Sequence, residues 1–122
     1  MTYRGVIIEE SLEDKSFLKE VRILETKIEP ITPEHKTPWL KQWTLHTVEI
    51  PEENADKIAL KISRSFDKKH FSWYADYKND KYHFIIYANK IFKVDLASPI
   101  LYKDAKMYGI SIGIPEYQVD FI

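Results

Sequence analysis

Three runs rich in apolar and aromatic residues, 72 to 78, 81 to 87 and 91 to 95, follow one another with only Asn79-Asp80 and Ala88-Asn89-Lys90 between them. Connections this short join antiparallel neighbours, so the stretch predicts a three-stranded meander, and a meander must bury at least one face to be stable. Turn length sets register, and register decides what each face presents. A two-residue turn at Asn79-Asp80 pairs Tyr77 with Tyr82, Ala75 with Phe84 and Trp73 with Ile86. A three-residue turn at 88 to 90 pairs Ile86 with Phe92 and Phe84 with Val94. One face is then apolar or aromatic throughout and reads as core covered by helices.

The opposite face of that register carries Tyr74, Asp76, His83, Tyr87, Lys93 and Asp95. It predicts a row in which Asp76 and Asp95 flank His83 across three strands, at steps of about 5 Å. Carboxylates beside an imidazole hold its tautomer and favour its charged form, the arrangement of a general base. His83, Asp76 and Asp95 are therefore the candidate catalytic residues. The competing reading is a solvated sheet face that alternates charges.

The rest of the chain supplies partners for the meander. Residues 2 to 9 form a β-branched run, and Ser11-Leu12-Glu13-Asp14 has capping-box spacing that predicts a helix of about two turns. Val21 to Ile28 is a second strand, which Pro30 ends. From Pro30 to Gln42 the chain is irregular, with Thr32-Pro33 and Thr37-Pro38 each placed to cap one turn. A connection of that length tends to be functional or mobile. Trp43 to Ile50 is a third strand. Pro51-Glu52-Glu53 then opens a helix whose Ala55, Ile58, Ala59, Ile62 and Phe66 form one apolar stripe. Ser98-Pro99 starts a last helix, Gly109 ends it, and an apolar tail runs from Ile110 to Ile122.

The order β-α-β, loop, β-α-β-β-β-α predicts an α+β fold, a single twisted, mostly antiparallel sheet with helices on one face, a ferredoxin-like variant being one such arrangement. A length of 122 residues with 44% hydrophobic content supports one domain spanning 1–122. Zero cysteines exclude disulfides, thiol nucleophiles and cysteine-ligated metals, and three glycines exclude the phosphate-cradling loops, so no cofactor is expected. The formal charge of -1 argues against a nucleic-acid partner, and no apolar run spans a membrane. The N-terminus does not read as a secretory signal, so the expected location is the cytoplasm.

Gly109-Ile110-Ser111-Ile112-Gly113 matches the spacing of a hydrolase nucleophile elbow, but a helix precedes it and no histidine follows it. His46 shares a strand face with Thr44, Val48 and Ile50 and reads as a partly buried, hydrogen-bonded histidine. It would join a metal site only if its face aligned with Asp76 and His83; the sequence has no ligand spacing that predicts a metal. Trp39 and Trp43, at the exit of the long loop, read as a ligand clamp or as a lid on the core edge. With Tyr74 and Tyr87 they are the candidate ligand-binding residues. The expected function is a small soluble non-catalytic interaction or ligand-binding module, with an unidentified protein or a small molecule as partner. The alternative is an acid–base or metal-dependent enzyme centred on His83. The tail is apolar enough to pack on its own domain or to mediate a homo-oligomer.

Overall fold

A computed structural model of the chain describes residues 1–70 and 72–121. Six strands form one sheet: β1 Tyr3–Ile8, β2 Arg22–Pro30, β3 Gln42–Ile50, β4 Tyr74–Lys78, β5 Tyr82–Tyr87 and β6 Lys90–Asp95. Their spatial order is β2-β3-β1-β4-β5-β6, and every neighbouring pair is antiparallel. Two α-helices complete the fold, α1 Ala55–Ser65 and α2 Leu101–Ser111. The architecture is α+β with a single sheet, as the element order predicts.

Helix α1 forms where the apolar stripe predicts it. Pro51 leads into a 3-10 turn, Glu52–Asn54, whose two carboxylates complement the helix N-terminus. Ala55, Ile58, Ala59, Ile62 and Phe66 are all buried, against Tyr3, Ile7, Val48, Ile50, Tyr77, Phe84 and Ile86. The helix carries the chain from β3 over β1 to β4. Beneath it, β1 meets β4 through only three residue pairs, with Gly5 opposite Tyr77 in the middle.

The first hairpin differs from expectation by two residues and the second by one, with unequal consequences. The Asn79 side chain accepts the amides of Lys81 at 2.8 Å and Tyr82 at 2.9 Å, which moves the turn to Asp80-Lys81 and pairs Tyr77 with Phe84. A shift of two keeps every side chain on its face. In the second hairpin Asn89 takes a left-handed φ of 59°, the turn closes over Ala88-Asn89, and Ile86 pairs with Ile91. A shift of one turns β6 over. Phe92 and Val94 therefore join His83, Ile85 and Tyr87, while Asp95 moves to the other face, opposite Tyr82.

That inversion gives the sheet a second buried face. Tyr102 and Ala105 of α2, together with Ile114 and Val119 beyond it, cover Ile85, Tyr87, Phe92 and Val94. The two helices thus lie on opposite faces rather than sharing one. Helix α2 runs through Gly109, where a Cβ would meet the Tyr87 hydroxyl at 2.7 Å and Val119 at 2.8 Å, so glycine is there for close packing. The helix ends instead at Gly113, with φ 97°, where the Gly113 amide bonds the Ile110 carbonyl and the Ile114 amide bonds the Gly109 carbonyl. This is a Schellman ending, and it seats Ile114 in the core. The expected extended tail is therefore helix end, turn and a 3-10 segment, Glu116–Gln118, docked on its own sheet. Ile122 lies outside the described residues.

The N-terminal helix is also replaced. The Glu13 and Asp14 amides bond the Ser65 carbonyl, and Leu12 bridges Phe66, so these backbone donors are taken by the end of α1. Two 3-10 segments, Glu9–Ser11 and Ser16–Glu20, remain, and the first crossover lacks the α-helix that a ferredoxin-like variant would place there.

Candidate functional site

The face covered by α2 is covered only in part. Over β5 and β6 the helix and tail close it, whereas Val6 and Ile8 of β1 and Leu45 of β3 are left half-buried. These three apolar side chains floor a pocket of about 540 Å³, with Tyr74 and Asp76 of β4 beside them. One wall is the long loop, through Thr32, Glu34 and His35, with Trp43 and Trp73 behind it; the other is the tail, through Tyr117 and Gln118. Glu29 of β2 completes the rim.

The walls are held by hydrogen bonds that the sequence pattern does not announce. Thr32 caps the 3-10 turn Pro33–His35, as its Thr-Pro pairing predicts, and the His35 ring returns to the Thr32 amide at 3.0 Å. The same ring reaches Glu29 at 2.7 Å and packs edge-on against Trp43 at 4.4 Å. The Trp43 indole N–H donates to the Thr37 hydroxyl at 2.9 Å. Tyr74 donates its phenol proton to the Gln118 carbonyl at 2.5 Å, and Tyr117 donates to the Glu34 carbonyl. Loop and tail are thereby tied to each other around the opening.

At the floor, a chain of polar groups leads back into the core. His83 is 3% exposed; its Nε2 lies 2.7 Å from Asp76 Oδ2 and its Nδ1 lies 2.7 Å from the Tyr102 hydroxyl. The Asp76–His83 contact expected from the sheet face is therefore made, diagonally, since Asp76 sits opposite Ile85. Burial, with Asp76 nearby, raises the Tyr102 phenol above its ordinary range, so it keeps its proton. That proton has no other acceptor among the described residues, so Tyr102 donates to Nδ1 and His83 donates from Nε2 to Asp76. Asp76 Oδ1 has no hydrogen-bond partner among the described residues, and Asp76 alone of the three faces the pocket.

Other candidates are placed elsewhere. Asp95 belongs to the opposite face and its Oδ1 accepts the Ala97 amide at 2.9 Å, so it flanks a turn and not His83. Tyr87 is fully buried under α2 and donates to the Ala105 carbonyl at 2.7 Å, out of reach of any ligand. Trp39 stacks on His70, with centroids 3.8 Å apart and planes 9° from parallel, and shares with Trp43 the lining of a smaller neighbouring cleft rather than of the main pocket. Trp43 and Tyr74 do line the main pocket. His46 is buried on the α1 side, between Thr26 at 2.9 Å and Glu9 at 3.0 Å, because β3 neighbours β1 and not β4. Its hydrogen bond holds the Glu9 carboxyl below the usual range. The two histidines therefore do not converge, and no cluster of three metal-ligating side chains occurs among the described residues.

His35, Glu29 and Glu34 are pocket residues that sequence reasoning missed. The three-residue return from Thr32 to His35 was a legible signal for a structured turn, but nothing local tied that turn to β2.

Fold and site together define a single-sheet α+β protein with an acidic, aromatic-walled pocket on the open half of one sheet face. No family model, no curated protein and no solved structure matches this chain. Among the described residues, no helix is long and apolar enough to cross a membrane.

Proposed function

We propose that the chain is a small, non-catalytic ligand-binding module whose working surface is the pocket over Val6, Ile8 and Leu45. The observation that carries this reading is the combination of about 540 Å³ of open space, an apolar floor and one carboxylate, Asp76, oriented by a buried histidine. Small-molecule sites have this size and composition, mostly apolar with a few convergent polar groups. A sheet face intended only for solvent has no need of a hydrogen-bonded chain behind its carboxylate.

Thermal-shift screening against small organic molecules tests the proposal, since a ligand at 100 times its Kd adds about 2.7 kcal/mol of stability. Hits should lose their effect in Leu45→Trp, which fills the floor without touching Asp76. Hits that stabilise this variant equally bind elsewhere and would refute the assignment.

A second reading, acid–base catalysis, is favoured by the 2.7 Å contact between His83 and Asp76. In that reading Asp76 is the base, because His83 is sealed from the pocket and acts by positioning it. Conversion of a hit on incubation, abolished in Asp76→Asn, would distinguish an enzyme from a binding module. A cysteine-free chain has no disulfide to gain from an oxidising compartment, which supports a cytoplasmic setting.

A further inference from the structure

The pocket's charge is one-sided. Its lining holds three carboxylates, Glu29, Glu34 and Asp76, and neither lysine nor arginine. One histidine, His35, lies in the lining, and His83 stands behind Asp76. The Thr32 amide can only donate, so His35 Nδ1 is an acceptor and Nε2 carries the proton given to Glu29. His83 is held in the same tautomer between Tyr102 and Asp76. Each imidazole thus places its Nε2 against a carboxylate, Glu29 or Asp76. Around these anions stand the rings of Trp43, Trp73, Tyr74 and Tyr117.

Resting on the ligand-binding reading of this site, we propose that its ligand class is the organic ammonium ion, a small amine carrying an apolar or aromatic body. Asp76 Oδ1 is the counter-charge at the floor, where a charge-assisted hydrogen bond is strongest because the site is half-enclosed. The ring faces attract the same cation through their quadrupoles. Val6, Ile8 and Leu45 take the apolar body. An anionic ligand would meet three carboxylates and no cation. A neutral one would leave Asp76 Oδ1 desolvated without a charged partner.

Three matched probes test the assignment: phenethylammonium, phenethyl alcohol and phenylpropionate, followed by quenching of the Trp43 and Trp73 fluorescence. The ammonium should bind at least about tenfold more tightly than the alcohol, a difference of about 1.4 kcal/mol, with the carboxylate weaker still. Asp76→Asn should weaken the ammonium at least about tenfold more than it weakens phenethyl alcohol, removing most of that preference. Glu34→Gln, whose carboxylate makes no hydrogen bond or ion pair among the described residues, should weaken the ammonium alone if Asp76→Asn unfolds the chain. Alcohol or carboxylate binding as tight as the ammonium overturns the cation assignment and leaves the pocket standing. Failure of all three probes to bind overturns the ligand-binding reading with it.

Discussion

Gly5→Ala tests the junction on which both halves of the sheet depend. A Cβ at this position would lie 1.8 Å from the Asp76 carbonyl oxygen and 2.5 Å from the Tyr77 Cα, main-chain atoms that no rotamer change can move. The strands must separate by roughly 1 Å, enough to forfeit a large part of their contact energy. Overpacking costs about 1–3 kcal/mol, and weakening two ladder bonds adds about 0.5–1.5 kcal/mol each. The lower chain entropy of alanine returns about 0.5–1 kcal/mol. The net loss is then about 1–5 kcal/mol, against a total stability of about 6–18 kcal/mol for a chain of this length. Urea denaturation followed by far-UV circular dichroism measures it. Because the clash falls on the Asp76 backbone, the variant should also disturb the pocket floor before the α2 side. A loss below about 0.5 kcal/mol, the range of an ordinary surface substitution, would refute the close pairing of β1 with β4.

Tyr102→Phe removes the donor to His83 Nδ1 and leaves a buried ring nitrogen unpaired, so stability should fall by about 1–3 kcal/mol; an unchanged melting curve would mean that water already serves that nitrogen. Ile62→Ala, at the centre of the α1 stripe, should cost about 2–5 kcal/mol, and a near-neutral result in the same denaturation assay would contradict the burial of that face. Burial raises the phenols of Tyr74, Tyr77 and Tyr87 well above the ordinary value of 10.0, and Tyr102 shifts in the same direction. The folded state therefore binds these protons more tightly than the unfolded chain does, and its contribution is complete below pH 10.0 and is lost as pH rises beyond it. The melting temperature should drop steeply in that range, and ionisation of these four rings with the near-UV circular dichroism intact would contradict their burial.

How much could be read from the chain alone depended on whether the deciding interaction was local. Helix α1 was legible because its stripe, proline and acidic first turn all lie within sixteen residues, 51 to 66, and agree with one another. The pairing of Asp76 with His83 survived a two-residue error in the first turn because strand faces alternate with period two. Asp95 did not survive a one-residue error in the second, where a left-handed Asn89 shortened the turn and exchanged the faces of β6. The predicted N-terminal helix failed for a different reason. Its backbone donors are claimed by Ser65, more than fifty residues away, and no local pattern contains that competition. The pocket was legible only in fragments. Trp43, Tyr74 and Asp76 stood out by residue type, whereas the walls from Glu34, His35, Tyr117 and Gln118 exist because the long loop and the tail meet across the sheet.

In the proposed function the ligand sits on the uncovered floor between the long loop and the tail. Backbone amide NMR during titration with phenethylammonium locates the bound ligand residue by residue. The predicted result is a set of saturable shift changes centred on Val6, Ile8, Leu45, Tyr74, Asp76 and Gln118, with the α1 face unmoved. Changes clustered instead around Trp39 and His70, or spread over the α1 side of the sheet, would contradict it.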